Sequence, residues 1–136
     1  MSILGRACRT YLTGRTGYSA TVPGGISPEL AAVGTSMPYV VYQTITTQPQ
    51  MLLAGTPAVF TERVQITVVS NTRASAQAVV DWIRTQVQAN PGRQVVGSTT
   101  VHHWRIDDAA DQSEVVSDGD DEATRLSTIE LVGVYQ

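Results

Sequence analysis

The feature that most constrains the fold is a strand-like run that leads directly into one amphipathic helix. Residues Phe60 to Ser70 alternate apolar and polar side chains, which is the period of a half-buried β-strand. Asn71 or Thr72 can then cap a helix from Arg73 to about Ala89, whose apolar residues recur on one side. A strand followed at once by a helix of this length predicts a domain in which the helix packs on a sheet.

The other periodic segments extend this plan. Apolar residues recur at helical spacing from Ile3 to Leu12, with Ser2 as a candidate N-cap and Gly14 as a stop. Further strands are predicted, one in each of three segments: Tyr39 to Thr47, Thr100 to Ile106 and Arg125 to Tyr135.

The segment order defines the expected fold class. From Gly14 to Pro38 the chain is rich in Gly, Pro, Ser and Thr, which predicts a long irregular loop after the first helix, with at most a very short strand around Ile26. The order α-β-β-α-β-β predicts an α+β fold: an antiparallel four-stranded sheet with two helices packed on one face. A chain of 136 residues is expected to form a single domain over residues 1–136.

The N-terminal residues and the apolar runs bear on location. Apolar runs all fall short of the roughly 18 residues that a membrane span needs. The first residues lack the apolar core and the small-residue cleavage site of a secretory signal. The sequence therefore predicts an intracellular protein with no membrane partner.

Charge is distributed unevenly along the chain. The basic residues are nine Arg with no Lys, so chemistry that requires an amine side chain is excluded. Eight of the twelve acidic residues lie within residues 107–122, a predicted acidic loop with a charge of −8, whereas the rest of the chain carries +5. Within this loop the candidate docking or channel-lining residues are Asp118, Asp120, Asp121 and Glu122. A plain solvated loop and a divalent-cation site are the alternatives for this segment.

The sequence contains few candidate catalytic residues. His102 and His103 are the usual type of base, but adjacent side chains on a strand point to opposite faces and do not share one metal or substrate. The single cysteine, Cys8, falls on the apolar side of the first helix and is predicted to be a buried hydrophobe. We therefore expect no catalytic residue, no cofactor and no metal.

The last predicted strand has two apolar faces. Leu126, Val132 and Val134 point one way, while Ile129 and Leu131 point the other way with Tyr135. Since the helices can cover only one face, part of the other is expected to be covered by a neighbouring subunit or, alternatively, by a loop. The candidate subunit interface consists of Ile129, Leu131, Tyr135, Tyr39 and Val41.

Several short motifs, in order, resemble one known family. Ile26-Ser27-Pro28 is followed by Met37-Pro38-Tyr39-Val40-Val41-Tyr42-Gln43, by Leu53-x-Gly55, by Arg63-Val64-Gln65-Ile66, by an Ala-rich helix and by the closing strand Arg125 to Tyr135. This arrangement is similar to the tail-completion, or tail terminator, proteins of long-tailed phages. The resemblance covers roughly residues 24–135 and brings no catalytic residue with it.

The resemblance implies a structural role in the virion. Members of such a family would form a homo-hexameric ring at the head-proximal end of the tail, end growth of the tail tube and join it to the head connector or stopper protein. DNA would pass through the ring without sequence-specific binding. Assembly in the host cytoplasm and a final position at the tail-head junction are expected.

Three other functions remain open from the sequence. Another neck component, such as a head-tail adaptor or stopper, or a minor tail protein belongs to the same class. A relative in a gene-transfer particle is a second. A small dimeric α+β enzyme, with His102, His103 or Trp104 in a pocket, is the third.

Overall fold

A computed structural model describes residues 2–29, 36–51, 57–116 and 124–136. It contains three helices and six strands within these ranges. The elements are α1 (Ile3–Thr13), α2 (Tyr18–Thr21), β1 (Ile26–Pro28), β2 (Tyr39–Met51), β3 (Pro57–Ser70), α3 (Arg73–Ala89), β4 (Gln94–Val96), β5 (Thr99–Val116) and β6 (Thr124–Tyr135).

Both predicted helices are present with the expected caps. The Ser2 hydroxyl accepts a hydrogen bond from the Gly5 amide at 2.8 Å and caps α1, which ends at Gly14. Thr72 caps α3 by accepting from the Ser75 amide at 3.1 Å. A cap of this kind satisfies one of the amides that a helix N-terminus leaves unpaired, so the boundaries follow from local chemistry.

The predicted four-stranded antiparallel sheet with two helices is wrong. The sheet has six strands in the order β1-β2-β3-β6-β5-β4, is curled into a half-barrel and is mixed, because β1 pairs with β2 in parallel. The helix α2 is also additional. β1 coincides with the very short strand that the sequence allowed around Ile26, whereas β4 was not predicted. Both have three residues, too few to show an alternating pattern, and β1 pairs with a strand more than ten residues away.

The length of β5 changes the interpretation of the acidic segment. The strand predicted over Thr100 to Ile106 continues to Val116, and β6 begins at Thr124. Residues 107–116 of the predicted acidic loop therefore lie in strand β5, and its remainder falls outside the described residues. The register between β5 and β6 shifts between Asp107 and Gln112, so the long hairpin is irregular midway.

The core lies between the sheet and the two longer helices. We call this side of the sheet the inner face and the opposite side the outer face. Inner-face residues of β3, β5 and β6, among them Val64, Trp104 and Leu131, are almost fully buried beneath α1 and α3. The indole N–H of Trp104 donates to the Asn90 carbonyl at 2.8 Å. The Tyr11 ring also packs edge-to-face against the indole, with 5.1 Å between the ring centroids.

Two glycines allow α1 to approach the sheet closely. A Cβ on Gly5 would lie 2.5 Å from Cδ2 of Tyr42, and a Cβ on Gly133 would lie 2.9 Å from Cδ2 of Leu4. Contacts this short do not occur between real atoms, so the absence of a side chain at each position sets the distance between α1 and the sheet.

We predict that Gly5→Ala destabilises the protein although it lies inside a helix. Helix propensity alone favours alanine by about 1 kcal/mol, whereas overpacking against Tyr42 costs roughly 1–3 kcal/mol or more. The free energy of unfolding, measured by urea denaturation, should therefore fall. Gly14→Ala is the matched control, because a Cβ there meets nothing nearer than the Tyr11 carbonyl oxygen at 3.7 Å. An increase in stability for Gly5→Ala would contradict the close packing.

Candidate assembly surface

The outer face of the sheet carries an apolar row at one end. Register places Tyr39 opposite Val69, and Val69 opposite Leu126, on three adjacent strands. Tyr39 and Leu126 are half-buried, and Val69 is buried. Val132 and Val134, further along β6 on the same face, are also half-buried. Since α1 and α3 pack on the inner face, these side chains are covered by neither helix.

An ionic cluster divides this apolar surface. The Arg63 guanidinium donates to Asp107 at 3.1 Å and also to the carboxylate of Glu130, which joins β3, β5 and β6. The hydrogen bonds that Arg63 donates to Asp107 and Glu130, together with the negative charges of these carboxylates, raise the pKa of Arg63 above its ordinary value. One cation against two carboxylates leaves the cluster itself with a net negative charge. The cluster braces three strands across the face and contains no nucleophile.

The predicted interface residues divide between the two faces. Ile129 and Leu131 are fully buried and Tyr135 is 4% exposed, all within the subunit's own core on the inner face. Tyr39 and Val41 lie half-buried on the outer face, away from α1 and α3. Alternation along the last strand places Val132 and Val134 on one face and Ile129 and Leu131 on the other, as the structure shows. It did not indicate which of the two apolar faces the helices would cover.

The acidic candidates Asp118, Asp120, Asp121 and Glu122 lie outside the described residues. The side chain of Asp107, at the start of the same segment, is described and is bound to Arg63.

His102 and His103 are not brought together. A register shift between Val101 and His103 places His102 at a bulge, where its Nε2 lies 3.2 Å from the amide oxygen of Gln136. His103 is exposed and Trp104 is buried in the core, so these three residues do not line a common pocket. Among the described residues, no group of three or more His, Cys, Asp or Glu is placed to hold a metal ion.

The prediction for Cys8 is confirmed. Its side chain is 3% exposed in the core, and burial raises the pKa of the thiol to about 12. The thiol therefore stays protonated at neutral pH and packs as a small apolar group.

A buried carboxyl group lies under the first turn of α1. Glu62 is 1% exposed and accepts a hydrogen bond from the Ser2 hydroxyl at 2.6 Å and a longer one from the Tyr135 hydroxyl at 3.4 Å. Burial, followed by the charge and the hydrogen bond of Glu62, raises the pKa of Tyr135 to about 12. Ser2 therefore links the helix cap to the sheet, a structural role that alternation alone could not predict.

A polar cleft of about 650 Å³ opens beside the first helix. It is lined by Ser2, Arg6, Arg9, Pro28, Glu29, Tyr42, Gln43 and Thr44. Arg6 and Arg9 are exposed, three residues apart on α1, so the cleft presents two guanidinium groups and the Glu29 carboxylate to solvent. This arrangement can accept an anionic group of a partner.

No helix among the described residues is long and apolar enough to cross a membrane.

Taken together, the fold and its surfaces define a small α+β domain with a sealed core and a sheet face that neither α1 nor α3 covers. Residues 6–126 match the family model described as tail completion protein gp17, so the chain belongs to this family of phage tail proteins. Its structure is similar to a chain in the virion of a native gene transfer agent particle, with a TM-score of 0.73, 13% identity and coverage of 98% of this chain and 95% of that chain. No curated protein sequence matches.

We predict that alkaline conditions destabilise the protein partly through Tyr135. The pKa of a tyrosine in the unfolded chain is about 10, whereas that of Tyr135 in the folded protein is about 12. Because the folded-state pKa is the higher one, protonated Tyr135 contributes to the free energy of unfolding. The contribution is complete below about pH 10 and is lost as the pH rises through about 12. The unfolding free energy of Tyr135→Phe should therefore decline less steeply over this range than that of the native protein. Tyr39→Phe, at a half-buried ring on the outer face, is the control. Equal slopes for all three proteins would contradict the assignment.

Proposed function

We propose that this chain forms a ring at the head-proximal end of a phage-type tail. The ring ends growth of the tail tube, joins the tail to the head connector and lets DNA pass. The match to the tail completion family over residues 6–126 carries this proposal. The similar chain from the virion of a gene transfer agent particle supports the same class of assembly, either in a phage or in a gene-transfer particle.

The two sides of the sheet support a role in assembly. The inner face is filled by the subunit's own helices, whereas the outer face leaves Tyr39, Val41, Val132 and Val134 half-buried. Rings form through heterologous contacts, in which different surfaces of neighbouring copies meet. Tyr39 and Val41 then belong to the contact surface, where a neighbouring copy would cover apolar area left by the helices. The predicted residues Ile129, Leu131 and Tyr135 would support that contact from within the core.

The acidic segment supports passage of DNA. Six of its eight carboxylates, at positions 111–122, fall within a span that contains no basic residue, and a surface of this charge repels phosphates. We assign Asp118, Asp120, Asp121 and Glu122 to the channel or to the docking surface for the head connector.

The ring and its position predict a specific assembly defect. Light scattering after size exclusion should show a closed ring of the chain, alone or with the tail-tube protein. Particles assembled without the chain should carry tails of irregular length that do not join heads, as electron microscopy would show. Tails of normal length joined to heads in its absence would rule out the proposal. A stable dimer with measurable turnover would favour the enzyme alternative.

The channel assignment predicts a change in DNA retention. A variant with Asp118→Asn, Asp120→Asn, Asp121→Asn and Glu122→Gln should assemble normally but retain more DNA at low salt in a filter-binding assay, because phosphate repulsion is lost. Asp81→Asn removes a charge from the exposed side of α3 and is the control. Retention that equals that of the native ring would assign the segment to docking instead.

A further inference from the structure

Among the described residues, each edge of the sheet is paired with a further strand at only one end. Strand β1 pairs with residues Val40 to Tyr42 of β2, and β4 pairs with residues Thr99 to Val101 of β5. From Gln43 to Met51, no strand among the described residues pairs with β2 on the side that faces away from β3. At the other edge of the sheet, the side of β5 that faces away from β6 receives one described backbone contact beyond Val101. In this contact the Trp104 amide donates to the Pro91 carbonyl at 3.2 Å.

The two uncovered stretches lie at opposite ends of the sheet. Register aligns Pro49 with Phe60, Phe60 with Tyr135, and Tyr135 with Val101. Strand β4 therefore protrudes at the end where β2 is uncovered. By the same register, β1 protrudes at the end where β5 is uncovered. The two edges are therefore complementary in shape: β4 on one edge fits the uncovered stretch of β2 on the other, and β1 fits the uncovered stretch of β5.

The chemistry of β4 and of uncovered β2 differs from that of a protected edge. Soluble proteins usually guard edge strands with charged side chains, especially Lys. Neither Gln94–Val96 nor Gln43–Met51 contains a charged residue. Each also exposes an apolar side chain: Val95 is 69% exposed and Ile45 is 43% exposed. The bulge near Ile45 and the missing N–H of Pro49 interrupt the β2 edge but leave donors and acceptors between and beyond them.

We propose that β4 of one copy pairs with the uncovered stretch of β2 in the next copy, so that the sheets join edge to edge around the ring. The proposal rests on the ring described above and specifies how its subunits meet. Because each neighbouring pair from β2 through β3, β6 and β5 to β4 is antiparallel, β2 and β4 run in the same direction. A continued sheet therefore makes the new pairing parallel, and it places β1 of the next copy beside the uncovered stretch of β5.

Cysteine pairs test this contact and its sidedness. Val95 points to the outer face, because its neighbour Val96 packs against the core. On β2, Thr46 lies opposite Arg63 and Gln48 lies opposite Thr61, which places both on the outer face, whereas Thr47 lies opposite buried Glu62. Native Cys8 is buried and does not compete.

Val95→Cys combined with Thr46→Cys or with Gln48→Cys should give a ladder of disulfide-linked copies on a non-reducing gel after mild oxidation. The ladder should be lost when Val95→Cys is combined with Thr47→Cys, because a disulfide requires Cβ atoms that face each other. Mixing the single variants Val95→Cys and Gln48→Cys should give linked dimers that neither variant gives alone. Linked dimers of Val95→Cys alone would instead show a β4–β4 contact and overturn the proposal.

A charge placed on the edge provides a second readout. Val95→Asp should lose ring mass in light scattering, whereas Val95→Thr, which keeps β-propensity, should retain it. Both variants should fold, since the side chain is 69% exposed.

The outcomes separate the edge pairing from the ring itself. Rings without links in either outer-face pair would overturn the edge pairing and leave the ring standing. Linked open chains that never close would support the edge pairing and contradict the ring. A chain that forms neither links nor rings, even with the tail-tube protein, would overturn both.

Discussion

The close approach of α1 to the sheet is the contact on which the other features depend. Gly5, on the helix, lets α1 lie against the ring of Tyr42. Gly133, on the sheet, leaves room for the side chain of Leu4 of α1. Together with α3, this seals the inner face and buries Leu4, Leu131 and Trp104 almost completely. With its core complete, the subunit presents the outer face and the two edges of the sheet as the surfaces that the proposed ring would use.

Glu62 fixes where along the sheet α1 can lie. A polar group buried at 1% exposure is costly without hydrogen bonds, and Ser2 and Tyr135 supply them. The same Ser2 hydroxyl caps the helix, so a shift of α1 by one turn would remove the cap and leave the carboxyl group with a single partner. Apolar packing alone would tolerate several helix positions, whereas this polar contact selects one.

The elements that sequence predicted correctly are those whose pattern is local. The caps at Ser2 and Thr72 and the long apolar stripe of α3 are contained in neighbouring residues, so both helices were predicted with nearly correct bounds. The alternation of β3 likewise predicted a strand. Burial of Cys8 followed from the same helical spacing. The contact between Ser2 and Glu62 spans sixty residues, and no local pattern indicates it. For the candidate interface, alternation separated the two faces of β6 but could not show which one α1 and α3 would cover.

The two shortest strands, of which only β1 coincides with a strand that the sequence allowed, are also those that the proposed edge pairing uses. β1 and β4 contain three residues each, and a strand of that length gains few hydrogen bonds against the entropy of ordering its backbone. In β4, Val95 contributes little to the subunit's own core, because its side chain lies largely in solvent. In the proposed ring, a partner strand on the side of β4 away from β5 would double its backbone pairing and cover that side chain. The weak local signal and the exposed apolar edge thus have one physical origin: these short strands gain few contacts within a single copy, and in the proposed ring a neighbouring sheet edge would supply more.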